Sequence, residues 1–307
     1  MRIASSLVLI LAAFQVLAQA PTASVPPQKA ILVTGASTGI GRKITERLAA
    51  DGYFVYAGAR KEADLKALGE IKNVQAIRLD VTKPEEIDAA VATVTQAGRG
   101  LYGVINNAGI AAVGSLADLK LEEFDLVMAV NVAGPYRITK AFLPLILAQK
   151  GRIVTIGSIS GILASPDLGP YSMSKHALEA FTDSLAAQLK GTGVQVIVVE
   201  PGNYDSQIGV NAAKREGFDN SRADRSKYKE PDEVAAVVAQ ALSEATAKRR
   251  YMVVPNQQEA EVTIRKQIEQ LVQLNEGQPY TYDRDELIKM LDAALTNSRP
   301  KTKSAAN

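Results

Sequence analysis

Short apolar runs recur along the chain, separated by stretches with helical spacing. Ala30-Ile31-Leu32-Val33-Thr34 is apolar and β-branched and stops at Gly35, as a buried strand does. A helical pattern runs from Arg42 to Ala50. Further strands are predicted at residues 53–57, 74–79, 102–105, 152–156, 194–199 and 251–254. Between them the spacing predicts helices ending near Gln96, over 116–148, over 171–189 and over 231–244. Thr82 with Glu85 resembles a capping box, and Pro84 suits a helix start. Gly134-Pro135 predicts a kink inside the long helical region. Strands alternating with helices predict an α/β fold, a doubly wound parallel sheet of about seven strands.

The pattern changes at both ends. Beyond Pro255, Ala260, Ile264, Ile268, Leu271 and Val272 recur at helical spacing and stop near Gly277. A second helix over 284–295 carries Leu287, Ile288, Leu291 and Leu295. Such stripes are expected to pack on the parent domain, over the substrate mouth or at a subunit interface. At the start, Arg2 precedes an apolar run from Ile3 to Ala18, followed by Ala18-Gln19-Ala20. That is the layout of a secretory signal peptide, with cleavage expected after Ala18. The run is shorter than the roughly 20 residues that span a bilayer. An uncleaved anchor stays open as the alternative, so the chain reads as exported, periplasmic or membrane-anchored, a cytoplasmic domain not being excluded. Pro21 to Gln28 holds three prolines and reads as a linker. Three segments result: 1–28 signal-like, 29–255 the main domain, 256–307 a helical extension whose last residues, 301–307, read as a frayed tail.

Composition narrows the chemistry. The 307 residues are 47% hydrophobic and 22% charged, with a formal net charge of +2. Those values are ordinary for a globular protein and give no nucleic-acid signal. The Lys248-Arg249-Arg250 run reads as a solvated helix end. With no cysteine, disulfides, thiolate zinc sites and cysteine nucleophiles are excluded. The single histidine, His176, cannot build a histidine metal cluster and reads as a helix-surface residue. No metal is expected.

Candidate chemistry lies at predicted strand ends. Gly35-Ala36-Ser37-Thr38-Gly39-Ile40-Gly41 joins a strand to a helix. Glycines let a backbone approach a pyrophosphate, and a helix N-terminus offers free N–H groups to it. A purely structural turn is the plainer alternative. No acid occupies residues 53–61, where an NAD site holds the ribose 2′-hydroxyl; Arg60 stands there instead and suits a 2′-phosphate. NADP(H) is therefore favoured over NAD(H). Tyr171 and Lys175 are four apart on a predicted helix, so they share a face. An ammonium beside a phenol favours the phenolate and would bring it toward neutrality. Gly35, Arg60, Asp80, Asn107, Ser158 and Pro201 all fall at strand ends, where such sheets bind ligands.

In this order and spacing, the chain resembles the compact branch of the short-chain dehydrogenase/reductase family over residues 29–255. The resemblance rests on Thr34 to Gly41, Asp80-Val81, Asn106 to Gly109, Asn131, Ser158, Tyr171 to Lys175 and Pro201-Gly202. It implies a Rossmann-type domain, an NAD(P) cofactor and interconversion of an alcohol and a carbonyl. Tyr171 would be the general acid/base, with Lys175 depressing its pKa and holding the nicotinamide ribose. Ser158 would bind the substrate oxygen, and Asn131 would hold a water linking Lys175 to solvent. Cofactor contacts would come from Gly35, Ser37, Thr38, Gly39, Ile40, Gly41, Arg60, Asp80, Val81, Asn107, Ala108, Gly109, Tyr171, Lys175, Pro201, Gly202 and Ser206. Asp80 would meet the adenine. Plainer readings stand beside these: a strand-end hydroxyl for Ser158, a turn acid for Asp80, and for Asn131 a helix-bend residue bonding backbone freed near Pro135. Ser206 stands where the family often has threonine, with the hydroxyl kept. Residues 206–229 are polar and irregular and read as a lid over the pocket, with Leu163, Tyr204 and Ile208 lining it. Likeness to retinol- and hydroxysteroid-dehydrogenase members implies a lipophilic substrate, and the family implies a homo-oligomer. A non-catalytic dinucleotide-binding sensor or scaffold is the alternative; it would have no need of Asn131, Ser158, Tyr171 and Lys175 together.

Overall fold

A computed structural model describes residues 28–215 and 227–298. The strands are β1 (Ala30–Val33), β2 (Phe54–Ala59), β3 (Val74–Arg78), β4 (Gly103–Asn106), β5 (Arg152–Ile156), β6 (Gln195–Pro201) and β7 (Arg250–Val253). They form one parallel sheet in the order β3-β2-β1-β4-β5-β6-β7. The order reverses between β1 and β4, so the chain opens a crevice beyond their carboxyl ends.

Helices cover both faces. They are α1 (Gly39–Ala50), α2 (Glu62–Gly69), α3 (Pro84–Gln96), α4 (Leu121–Asn131), α5 (Ala133–Ala148), α6 (Gly169–Gln188), α7 (Ile208–Arg215), α8 (Asp232–Ser243), α9 (Gln257–Asn275) and α10 (Arg284–Ser298). Successive strand residues face opposite sides. Ile31 and Val33 accordingly pack with Ile44 and Leu48 of α1 and Val234 and Val238 of α8. Ala30 and Leu32 pack on the other face with Val94 of α3 and Ile138, Phe142 and Ile146 of α5. Burial on both faces is why β1 is a wholly apolar run, and β4 and β5 are buried along their whole length.

Several expectations need correction. The polar stretch after Arg60 forms α2, which the periodicity did not show. The long helical region is two helices that break at Val132, and it starts at Leu121 rather than Leu116. Pro135 sits in the first turn of α5, where a missing N–H needs no partner. Beside it Gly134 lies so close to Val81 that an added Cβ would sit 2.7 Å from Val81 Cγ2. Thr82 does not cap α3: its N–H and hydroxyl both donate to Asp80 Oδ1 (2.9 and 2.7 Å), and Glu86 rather than Glu85 accepts the Asp80 N–H. The N-cap position of α3 is Lys83, so Thr82 sits one residue too early to cap it.

The Lys248–Arg250 run is solvent-exposed as expected, but it does not end a helix, since α8 stops at Ser243. Arg250 opens β7, and its guanidinium donates to Glu179 (2.9 Å) and to both carboxylate oxygens of Asp183 (3.1 and 2.8 Å). It also lies 3.7 Å from Glu200 Oε1. Glu200 is buried, and burial together with Glu179 pushes its pKa up to about 7. His176 is exposed on α6, as expected, and its Nδ1 meets Ser172 O at 2.9 Å.

The C-terminal stripes do not pack on the parent domain. Ile264, Ile268, Leu271, Leu291 and Leu295 are all exposed, and Thr263 is the buried residue of α9. The bonds that tie the extension to the domain lie at its first turns, where Glu259 accepts the Asn203 N–H. Among the described residues, no helix is long and apolar enough to cross a membrane. The signal-like residues 1–27, the stretch 216–226 of the expected lid and the tail 301–307 lie outside the described residues.

Candidate active site

A crevice of about 920 Å³ lies at the carboxyl ends of the central strands. Its floor is the Gly35–Gly41 turn between β1 and α1. Gly35 and Gly39 hold positive φ (64° and 53°), a conformation that favours glycine. Gly41 is glycine for a different reason: an added Cβ would overlap Asn107 Nδ2 and Gly35 O. No side chain caps the N-terminus of α1 at Thr38, and a helix start leaves its first N–H groups without intrahelical partners. Ser37, Thr38, Gly39 and Ile40 all line it.

Two side chains fix this turn against β4. Asn107 Nδ2 donates to Thr34 O (2.9 Å) and Gly35 O (3.0 Å). The Thr34 hydroxyl donates to Ile105 O (3.3 Å) and accepts the N–H groups of Asn107 and Ala108 (both 3.0 Å). One buried hydroxyl thus uses its donor and both lone pairs. Thr34 had no assigned role at the sequence level; its signal is a hydroxyl closing an otherwise apolar strand. Ala108 lies so near Gly35 that an added Cβ there would be 2.8 Å from Ala108 Cα.

At one end of the crevice, Arg60 stands exposed beyond β2, its Nη1 3.8 Å from Asp80 Oδ2. Burial works against the Asp80 carboxylate. The Thr82 hydrogen bonds, Arg60 and Lys83 outweigh it and hold the pKa below the ordinary value. Glu62, two residues after Arg60 in the sequence, pairs with Arg78 (3.0 Å). Val81 lines the same end.

At the other end, α6 brings Tyr171 and Lys175 to face Ser158 at the end of β5. Lys175 is 4% exposed, and its Nζ donates to Ile156 O at 2.8 Å. The ammonium lies 5.4 Å from the centre of the Tyr171 ring, so the expected juxtaposition exists. Its electrostatics differ from expectation. Burial raises the Tyr171 phenol above its ordinary value, and the Ser158 hydroxyl, not Lys175, works against that rise. Burial also pulls Lys175 down to about 8, with Glu179 opposing. The Ser158 hydroxyl reaches Pro201 O (3.4 Å) and accepts the Ser160 N–H (3.0 Å), capping the short turn at Ile159–Gly161.

Asn131 is the one expected catalytic residue that does not line the crevice. It is buried at the end of α4 and clamps the backbone of Ile110, accepting its N–H (2.9 Å) and donating to its carbonyl (2.8 Å). It also donates to Ser174 Oγ, which in turn donates to Tyr171 O. It therefore ties the loop after β4 to α6, and it does not bond backbone freed near Pro135. Gly109 lies between: an added Cβ would be 3.5 Å from Asn131 Oδ1 and 4.0 Å from Lys175 Nζ.

Pro201 and Gly202 border the crevice at the end of β6, and Ser206 lies opposite Gly39. Leu163, Tyr204 and Ile208 line the wall, with Val113, Leu168 and Tyr228, which the sequence did not single out. The stretch read as irregular is helical at its start, as α7. Arg215 fastens that helix, donating to Ala111 O and to Glu123 (3.3 Å).

The sheet order, the glycine turn at the switch point and the residues gathered above it define a doubly wound α/β protein with a nucleotide-type crevice. The sequence profile of the short chain dehydrogenases matches residues 29–217, and the chain belongs to that family. It is similar to the mitochondrial D-beta-hydroxybutyrate dehydrogenase of Mus musculus, 36% identical over 197 residues, or 61% of this chain and 57% of that protein. It is equally similar to retinol dehydrogenase 5 of the same species, 36% identical over 183 residues, 58% of this chain and 57% of that protein. The chain thus matches little more than half the length of these relatives. Among solved structures, an actinorhodin polyketide ketoreductase variant with NADPH superposes with a TM-score of 0.66. It is 32% identical, with 74% of this chain and 96% of that chain covered.

The buried lysine gives a pH signature. Its folded pKa of about 8 lies below the unfolded value of 10.5. At this site the unfolded state therefore binds more protons between those values, so the contribution of Lys175 to stability rises with pH across the window. Relative to Lys175→Met, wild type should gain unfolding free energy from pH 8 toward pH 10.5, read from urea curves. A difference that stays flat or falls would contradict the assignment.

Proposed function

We propose that this chain is an NAD(P)-dependent oxidoreductase that interconverts an alcohol and a carbonyl. One observation carries the reading: Ser158, Tyr171 and Lys175 converge at one end of the crevice whose other end is the Gly35–Gly41 turn. The residues fit a dinucleotide: glycine backbone and an uncapped helix start for the pyrophosphate, and Asp80 and Val81 for the adenine side. Asn107, Ala108, Gly109, Pro201, Gly202 and Ser206 border the remainder. The nicotinamide, when bound, supplies or takes the hydride.

The protein's own residues handle the proton. In reduction, Tyr171 donates its phenolic proton to the carbonyl oxygen as that oxygen gains charge. Ser158 donates its single hydroxyl hydrogen to the same oxygen, turning from Pro201 O. Lys175, its ammonium already weakened by burial, lies beside the ring and returns charge balance as the phenol ionises. Asn131 holds the Ile110 loop and α6 in register and so sets the distance between Lys175 and the crevice. In oxidation the same groups run in reverse, with Tyr171 as base.

Arg60 favours NADP(H) over NAD(H), because it is exposed at the end of β2 with no acid in residues 53–61. The similar ketoreductase structure with NADPH supports that preference. Apolar walls from Leu163, Leu168, Tyr204 and Ile208 suit a lipophilic substrate, in line with the likeness to a retinol dehydrogenase. Residues 29–255 form the catalytic unit, 256–307 a helical extension, and 1–28 an export or membrane-anchoring segment. The exposed apolar positions of α9 and α10 suit assembly into a homo-oligomer.

Tyr171→Phe should lower turnover of a carbonyl substrate by about a hundredfold or more, with cofactor affinity within about twofold of wild type. Turnover equal to wild type would refute the mechanism and favour a non-catalytic binder. Arg60→Ala should weaken NADPH binding by about tenfold, the loss of one charge-assisted hydrogen bond, and leave NADH binding unchanged. Equal effects on both cofactors would refute the role of Arg60.

A further inference from the structure

The start of the C-terminal extension meets the turn after β6 that borders the crevice. Its helix α9 starts at Asn256, whose side chain accepts the Glu259 N–H at 2.9 Å. A glutamate at that position ordinarily reaches back to the N-cap N–H, completing a capping box. Glu259 does not. Its Oε2 accepts the backbone N–H of Asn203 at 2.8 Å, on the turn that follows β6, while Oε1 is held by Asn256 Nδ2 at 3.1 Å.

The fit is close. An added Cβ at Gly202 would overlap Glu259 Oε2 and lie 3.0 Å from both Pro255 Cδ and Val254 Cγ1. The carboxylate is therefore pressed against the bare backbone of Gly202. From the other side the turn is fixed by Gly202 N–H to Val253 O (2.8 Å) and Tyr204 N–H to Gly202 O (3.0 Å). Thr263, one helical turn on, is fully buried and donates to Glu259 O at 2.7 Å. The buried and bonded part of α9 is thus the part that carries Glu259. Pro201, on the same turn, accepts from the Ser158 hydroxyl.

We propose that Glu259 is a positioning residue of the active site: its carboxylate holds the Pro201–Asn203 turn in the shape that receives the nicotinamide end of the cofactor. This rests on the dinucleotide reading of the crevice. The charge-assisted hydrogen bond fixes a backbone N–H that would otherwise face solvent, and the turn is shaped before the ligand arrives. The extension then belongs to the catalytic machinery, although its apolar face stands clear of the domain. The adenine end is unaffected, because Gly35 to Gly41, Arg60 and Asp80 lie on other elements.

The test uses the full chain as wild type, Glu259→Ala, Glu259→Asp and Glu259→Gln, titrated with NADPH, NADH and ADP-ribose, which lacks the nicotinamide. Glu259→Ala should weaken the preferred dinucleotide about tenfold, as losing one charged hydrogen bond does, and ADP-ribose less than about twofold. Glu259→Asp keeps the charge but falls short of Asn203, and should show the same split even if the alanine variant folds poorly. Glu259→Gln keeps an oxygen acceptor and should stay within about threefold of wild type. A merely structural role would weaken both ligands alike. That outcome, or wild-type dinucleotide affinity in the alanine and aspartate variants, overturns the proposal. Wild type that binds no dinucleotide refutes the reading underneath, and this inference falls with it.

Discussion

A parallel sheet leaves its carboxyl ends open only where the connections diverge, and something must hold that opening to a fixed width. Here the Thr34 hydroxyl and the Asn107 amide do so. Between them they bond the backbone of Thr34, Gly35, Ile105, Asn107 and Ala108. Each bond contributes about 1 kcal/mol net, but leaving such buried groups unpaired costs more than forming them gains. The glycine turn is therefore not a loose loop. It is a backbone surface tied to the strand on the far side of the switch point, and its curvature sets where an anion can sit. Gly41 has no side chain because Asn107 already fills that space.

The electrostatics of the other end follow from burial. Removing water makes the Tyr171 phenol harder to ionise and the Lys175 ammonium easier to neutralise. The two shifts run in opposite directions, the phenol upward and the ammonium down to about 8, so burial favours the neutral form of both groups. One helical turn below, Glu179 opposes the lysine shift and shares the Arg250 guanidinium with Asp183, next to the raised Glu200. A charged cluster is thus built directly behind the chemistry, across α6, β6 and β7. Its position gives Arg250, one member of an exposed basic run, specific partners in Glu179 and Asp183.

Much of this was legible from residue order. Alternating apolar runs and helical spacings located the seven strands, and the strand-end residues from Gly35 to Pro201 are those that gather in the crevice. What escaped the sequence did so for physical reasons. Short α2 has no clear apolar stripe. The break at Val132 depends on where Pro135 falls within a helix turn, which spacing along the chain does not resolve. Arg250 reads as solvent-facing until β7 is set beside β6 and its charges meet Glu179 and Asp183. The apolar stripe of α9 looked like core, yet a stripe reports only that a face prefers burial, not what buries it. The partner of Asn131, the backbone of Ile110, is 21 residues away and is visible only once the loop after β4 is folded.

The most direct measurement of the central claim is fluorescence titration of wild type and Gly41→Ala with NADPH and NADH. Circular dichroism would verify that both are folded. The account predicts saturable binding of at least one dinucleotide by wild type. It also predicts binding weaker by about tenfold or more in Gly41→Ala, because the added Cβ displaces Asn107 and reshapes the turn. Unchanged affinity in a folded Gly41→Ala protein, or no binding by wild type, would contradict it.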